Sequence, residues 1–169
     1  MFQVDDIVVY GRNGVCRIQQ IGMISVSMAD NDKQYYTLKP LFGRGAVLYV
    51  PVDKKESVMR SVMTREEAEA LIREIPDIEC AFNANERERE AQYKEALRTC
   101  DGRELVKLIK LLRKRKQARI RQGKKMTSVD ERYLNQAQER LYEELGYVLD
   151  IRKDRVESYI TDSLAAAGK

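Results

Sequence analysis

The chain has 169 residues, 34% of them charged, with a formal net charge of +4, three cysteines, no histidine and no tryptophan. No apolar run approaches a membrane span and no signal-peptide pattern is present; Cys16, Cys80 and Cys100 are odd in number and far apart, so a reducing cytoplasm is expected rather than a disulfide framework. The missing histidine removes the commonest general base and metal ligand, and no CxxC pair, P-loop or GxSxG elbow is present, so neither an enzyme, a metal site nor a cofactor is expected. The carboxylate pairs Glu66-Glu67 and Glu143-Glu144 are expected on solvated helix faces or at caps.

Residues 2–18 read as strand, turn, strand. Val4, Val8 and Tyr10 recur on one face and Ile7 and Val9 on the other, and Gly11-Arg12-Asn13-Gly14 supplies turn chemistry, because glycine and asparagine tolerate positive φ. A second β-prone run follows over 15–24. Lys33-Gln34-Tyr35-Tyr36-Thr37-Leu38-Lys39 is a third, rich in aromatic and β-branched residues. Gly43-Arg44-Gly45 makes a tight connection to Ala46-Val47-Leu48-Tyr49-Val50-Pro51-Val52. The proline stands near the end of that strand, where no ladder donor is needed. Together these runs predict a small N-terminal β-barrel.

After about residue 63 the period changes from 2 to 3.6, which places a domain boundary between 1–63 and 64–169. Thr64-Arg65-Glu66-Glu67 has capping-box spacing and opens a helix to about 74, ended by Pro76. Asn83 or Asn85 caps the next helix, which carries Tyr93 and Leu97 inward and runs to about 99. Asp101-Gly102 breaks it, a long helix follows over 103–122, and Gly123 stops that one. Ser128-Val129-Asp130-Glu131 has capping-box spacing again and begins a helix through Leu134, Ala137, Leu141 and Leu145 to Gly146. A last amphipathic piece over 152–166 puts Val156, Tyr159, Ile160 and Leu164 on one stripe. The fold class is α+β: a small β-barrel followed by a compact all-α domain of four to five helices.

Charge is segregated. Net charge is +2 over residues 1–63, +5 over 64–126 and −3 over 127–169. Between 105 and 129 there are ten basic residues (Lys107, Lys110, Arg113, Lys114, Arg115, Lys116, Arg119, Arg121, Lys124 and Lys125) and no acid. Leu105, Leu108, Ile109 and Leu112 give the first half of that helix one apolar face. Arg113-Lys114-Arg115-Lys116 then steps charge around the whole circumference, which predicts a segment projecting into solvent or against a polyanion. Two readings stand: a solvated helix end favoured by the helix dipole, or a phosphate-contacting surface. Residues 85–94, with alternating Glu and Arg, allow a salt-laced exposed helix or a second contact surface.

The runs 2–18, 33–39 and 46–52, with Met59-Arg60-Ser61-Val62 leading into helices, resemble the CarD/CdnL family of bacterial RNA polymerase-binding transcription regulators. The likeness runs over most of residues 2–150. It implies a Tudor/SH3-like N-terminal module, shared with transcription-repair coupling factor, that docks on the polymerase β subunit by extending a sheet of the partner. By that resemblance the contact falls on Val26, Leu48, Tyr49 and Val50. The helical domain would contact promoter DNA, mainly its phosphates, through Arg87, Arg89, Lys94, Arg113, Lys114, Lys116, Arg119, Arg121, Lys124, Lys125 and Arg132. Tyr93-Lys94-x-x-Leu97 is similar to the start of the family's DNA-contacting helix. In much of the family a tryptophan four residues before that tyrosine wedges into the minor groove at the edge of the transcription bubble; here the position is Arg89. The implied function is a cytoplasmic, monomeric regulator that modulates open-complex stability. The alternative is a protein-interaction adaptor, or an RNA-binding protein, whose basic helix meets an acidic partner without promoter contact.

Overall fold

The computed structural model describes residues 2–25, 32–43, 45–54, 59–80 and 85–168. The chain divides into two compact units, Met1–Val62 and Met63–Lys169. The first is a five-stranded antiparallel sheet: β1 (Ile7–Tyr10), β2 (Val15–Gly22), β3 (Tyr35–Pro40), β4 (Leu48–Pro51) and β5 (Met59–Ser61), in the order β4-β3-β2-β1-β5. β1 and β2 are joined through a single 3-10 turn, Gly11–Asn13, closed by the Tyr10 N–H donating to the Gly14 carbonyl (2.9 Å). A register shift between Ile18 and Gln20 bulges β2 against β3, which bends the strand and increases its twist.

Val8, Cys16, Ile18, Tyr36, Leu38 and Val50 form the core of this unit, with Phe2 edge-on to Tyr36 at 6.1 Å. Val9 and Val15, which face each other across β1 and β2, are buried as well. Simple in-out alternation along β1 therefore fails. Val4, expected beside Val8, is 50% exposed. Residues 59–61, read only as a lead into the helices, are a fifth strand paired with β1. A three-residue strand is too short to leave a periodicity.

The second unit is helical: α1 (Arg65–Glu74), α2 (Glu86–Thr99), α3 (Gly102–Arg121), α4 (Ser128–Leu149) and α5 (Val156–Ala166). Thr64 caps α1, its Oγ1 accepting from the Glu67 N–H (3.1 Å). Asn85 caps α2 and Asp101 caps α3. At α4 the cap is Thr127, one residue before the expected Ser128, accepting from the Asp130 N–H (3.2 Å). α1 buries Ala68, Leu71 and Ile72, and α3 buries Leu105, Val106, Leu108, Ile109, Leu111 and Leu112 but no residue beyond. Each fully buried leucine of this kind contributes roughly 1.5–3 kcal/mol.

Asp101-Gly102 does part the two helices: α2 ends at Thr99, Asp101 caps α3 and Gly102 is its first residue, where an added Cβ would also meet Leu71 Cδ2 at 2.8 Å. Gly146 lies inside α4, which runs on to Leu149; a Cβ there would meet the Ile151 carbonyl at 2.9 Å. α5 packs on α1 and α4 through Val156 and the half-buried Tyr159, Ile160 and Leu164, and the Tyr159 hydroxyl donates to Glu69 (2.8 Å).

Glu143 and Glu144 are not on a solvated face. Both are buried, Glu144 to 1% exposure, and Glu144 accepts from the Met63 N–H (2.9 Å), anchoring the chain just before α1. Glu143 pairs with Arg140 (2.9 Å), and desolvation holds its carboxyl above the usual range despite that partner.

Candidate docking edge and nucleic-acid interface

The sheet has two edges, β4 and β5. The Val52 N–H donates to the Gln34 carbonyl (3.0 Å), so 34 and 52 form a hydrogen-bonded pair. Because such pairs alternate along an antiparallel ladder, the pairs Tyr36↔Val50 and Leu38↔Leu48 are hydrogen-bonded, whereas Tyr35↔Pro51 and Thr37↔Tyr49 are not. The main chain of Tyr49 therefore points away from β3. Pro51 has the same phase, so its missing N–H leaves nothing unpaired in the ladder. Tyr49 is thus the one residue of β4 that offers both an outward N–H and an outward carbonyl, and its side chain is 45% exposed.

This sorts the expected docking residues. Val50 is in the core, and its main chain, like that of Leu48, is turned to β3. They support the edge rather than present it. Val26 lies outside the described residues.

The β5 edge differs. The Val62 N–H donates to the Ile7 carbonyl (3.3 Å), which by the same alternation turns the main chain of Ser61 outward. The Ser61 carbonyl is covered by its neighbour, Arg60 Nη1 donating to it at 3.2 Å. A charged side chain laid along an edge is a common device against strand addition. Among the described residues β4 is the open edge.

The basic run does not present charge all round α3. Lys110 Nζ donates to the carbonyls of Ile75 (2.8 Å), Pro76 (3.4 Å) and Ile78 (2.6 Å), capping the turn that follows α1. Arg113 Nη2 donates to the Tyr142 hydroxyl (3.1 Å) and to Glu157 (2.8 Å). Arg115 Nε meets Asp130 at 2.7 Å, with the two side chains only 19% and 6% exposed. Arg119 Nε donates to the Lys125 carbonyl (2.6 Å) and so ties down the turn between α3 and α4. Arg113 and Arg115 are drawn to the bundle by acids on α4 and α5, distant in sequence. The expectation that 113–116 could be buried on no side is corrected accordingly.

Lys114, Lys116, Arg121, Lys124 and Lys125 remain exposed and make no ion pair among the described residues. They form the solvent-facing cationic set of the distal half of α3 and the turn after it. Because Lys110 is spent on carbonyls, Lys110→Met is expected to lower stability by about 1–3 kcal/mol in urea denaturation. The affinity of the protein for duplex DNA should not change.

On α2, Arg87 and Lys94 are exposed, and Lys94 is 3.9 Å from Glu90. Arg132 on α4 is exposed, lies 3.7 Å from the same Glu90 and stacks over the Tyr133 ring at 5.1 Å. Arg89 is only 8% exposed and lines a cavity with Tyr93, Arg115 and Asp130. The alternating charges of 85–94 predict a surface arginine; the helical phase decides otherwise, because Arg89 is four residues before Tyr93 and shares its inward face. Sequence reasoning missed Thr127 and Asp130 as partners of this region; the capping-box spacing was the only signal for them.

No helix among the described residues is long and apolar enough to cross a membrane. Residues 2–63 match the family model described as the CarD-like/TRCF RID domain, which covers the whole sheet unit. No curated protein matches the chain.

Proposed function

We propose that this protein is a transcription regulator that docks on the RNA polymerase β subunit and acts on promoter complexes, a reading supported by the match of residues 2–63 to the CarD-like/TRCF RID domain. In this reading β4 adds to a sheet edge of the β subunit through the main chain of Tyr49. The exposed cations of the helical unit meet promoter DNA near the upstream edge of the transcription bubble. The protein works as a cytoplasmic monomer.

The observation that supports the docking step is the pairing phase of β4, which leaves one complete donor-acceptor set of this edge strand facing outward. The DNA step is supported by the five exposed cations at 114, 116, 121, 124 and 125. Tethering to polymerase raises the local concentration of DNA to the millimolar range, so individually weak phosphate contacts suffice. If those contacts are better satisfied on melted than on closed DNA, they shift the equilibrium toward the open promoter by that difference and no more. A wedge is not part of this reading, because Arg89 is turned inward.

The test is the lifetime of open complexes formed by purified polymerase with and without the full chain. A lifetime changed severalfold is expected. An unchanged lifetime, with polymerase binding intact, would leave the adaptor reading in its place.

A further inference from the structure

The described strands of the sheet carry charge of one sign. Arg17 on β2, Lys39 on β3 and Arg60 on β5 are their charged residues, and none of them contains an acid. Among the described residues the acids of this unit, Asp5, Asp6, Asp32 and Asp53, all lie outside the strands.

Arg17 and Lys39 stand directly opposite each other. The Leu41 N–H donates to the Val15 carbonyl (3.0 Å), so 15 and 41 form a hydrogen-bonded pair, and by alternation Arg17↔Lys39 is the next one. Direct opposition puts both side chains on one face of the sheet, with Cβ atoms about 5.5 Å apart. Both are exposed, and neither side chain makes an ion pair or hydrogen bond among the described residues. Like charges held opposite each other lower the stability of a sheet, and an acid at either position would relieve the repulsion.

The row beside this pair runs Gln20↔Thr37↔Tyr49 across β2, β3 and β4. It shares the face of Arg17 and Lys39, because 37 and 39 are two residues apart on one strand. Lys39 is therefore the diagonal neighbour of Tyr49, about 7–8 Å away and within reach of a long side chain. Arg17 lies one strand further in. The two cations thus adjoin the strand whose outward main chain is that of Tyr49, on the face that its exposed ring shares.

We propose that Arg17 and Lys39 are the electrostatic part of the docking surface and take a carboxylate of the polymerase segment that adds to β4, an inference that rests on the docking reading above. Ladder bonds from the main chain of Tyr49 are indifferent to side chains. The cation pair supplies the choice, for an acidic segment and against a basic one. A carboxylate set over the pair also neutralises a repulsion that the free module carries, so docking and relief of that repulsion coincide.

Binding of the full chain to purified RNA polymerase is measured over a range of salt for the wild type, Lys39→Glu, Lys39→Met and Arg17→Gln, beside thermal melts. Wild-type affinity is expected to fall as salt rises. It should be about tenfold lower in Lys39→Glu and reduced by less in the two neutral variants. The melts run the other way: Lys39→Glu sets a carboxylate opposite Arg17 and should melt above the wild type. Weaker docking by a more stable fold is a combination that a merely structural role of Lys39 does not give. Wild-type polymerase affinity in both Lys39→Glu and Arg17→Gln overturns the proposal. So does a loss of affinity for forked DNA in place of polymerase, which would assign the pair to nucleic acid. Tyr49→Pro keeps the two readings apart. If it weakens polymerase binding while the charge variants do not, the edge docks without the cations; if none of these variants weakens it, β4 is not the docking edge.

Discussion

Tyr49→Pro is expected to weaken binding of the full chain to RNA polymerase roughly tenfold while leaving the sheet folded. In the pairing phase of β4 the Tyr49 N–H makes no bond to β3, so removing it breaks nothing internal. An incoming strand, however, loses its one donor from this strand, since Pro51 has none and the N–H groups of Leu48 and Val50 face inward. Leaving the partner's carbonyl unpaired in a dry interface costs about 1–3 kcal/mol, and 1.4 kcal/mol is a factor of ten in affinity. The pyrrolidine ring also stands where the partner's backbone would approach. Tyr49→Ala is the companion variant: it removes the exposed ring but keeps the N–H, and should retain more binding than the proline variant. Circular dichroism of both establishes that the sheet is intact. Proline and alanine variants that bind polymerase equally well would mean that the main chain of β4 is not the contact. Binding undiminished in both would move the docking surface to another part of the module.

How far the sequence foretold this arrangement depends on the range over which each feature is determined. Capping is local, so Thr64 was legible from spacing and Asn85 as one of two candidates, the other, Asn83, lying outside the described residues; the shift from Ser128 to Thr127 had to be seen. The α5 stripe of Val156, Tyr159, Ile160 and Leu164 was legible for the same reason, because a 3.6-residue period specifies which face is buried. A period does not say what the face meets. Arg115 and Glu144 looked solvated because their partners, Asp130 and the Met63 N–H, lie 15 and 81 residues away. Gly146 looked like a stop because a glycine's local signature is the same whether it ends a helix or admits a passing carbonyl. The resemblance pointed to the stretch 48–50 but carried nothing about its pairing phase. One hydrogen bond beyond the strand, from Val52 to Gln34, assigns inward and outward groups, and only a structure supplies it.

Neutralising Lys114, Lys116, Arg121, Lys124 and Lys125 together to glutamine should have the largest effect on DNA. These five are exposed and free of ion pairs among the described residues, so each is available to displace a counterion from a phosphate. With a slope near −0.9 per phosphate contact, one contact is worth roughly fivefold in affinity at about 0.15 M salt. Loss of three such contacts would therefore lower affinity about a hundredfold and reduce the salt slope by roughly three. Stability should barely move, since no internal bond is removed. Neutralising Arg113, Arg115 and Arg119 gives the opposite pattern. Their guanidiniums hold Glu157, Asp130 and the Lys125 carbonyl, so the variant should melt at lower temperature, and its DNA affinity should fall only as the fold loosens. Both sets are measured by titrating fluorescent forked DNA over a range of salt, beside thermal melts. The separation between the sets is the decisive quantity, because both remove positive charge from the same stretch, 113–125, and differ in which of those charges face solvent. If the two sets lower the salt slope alike, net charge alone governs attraction and no defined phosphate-contacting face exists. If neither lowers it, the cations serve a partner other than nucleic acid, and the basic surface belongs to the adaptor reading.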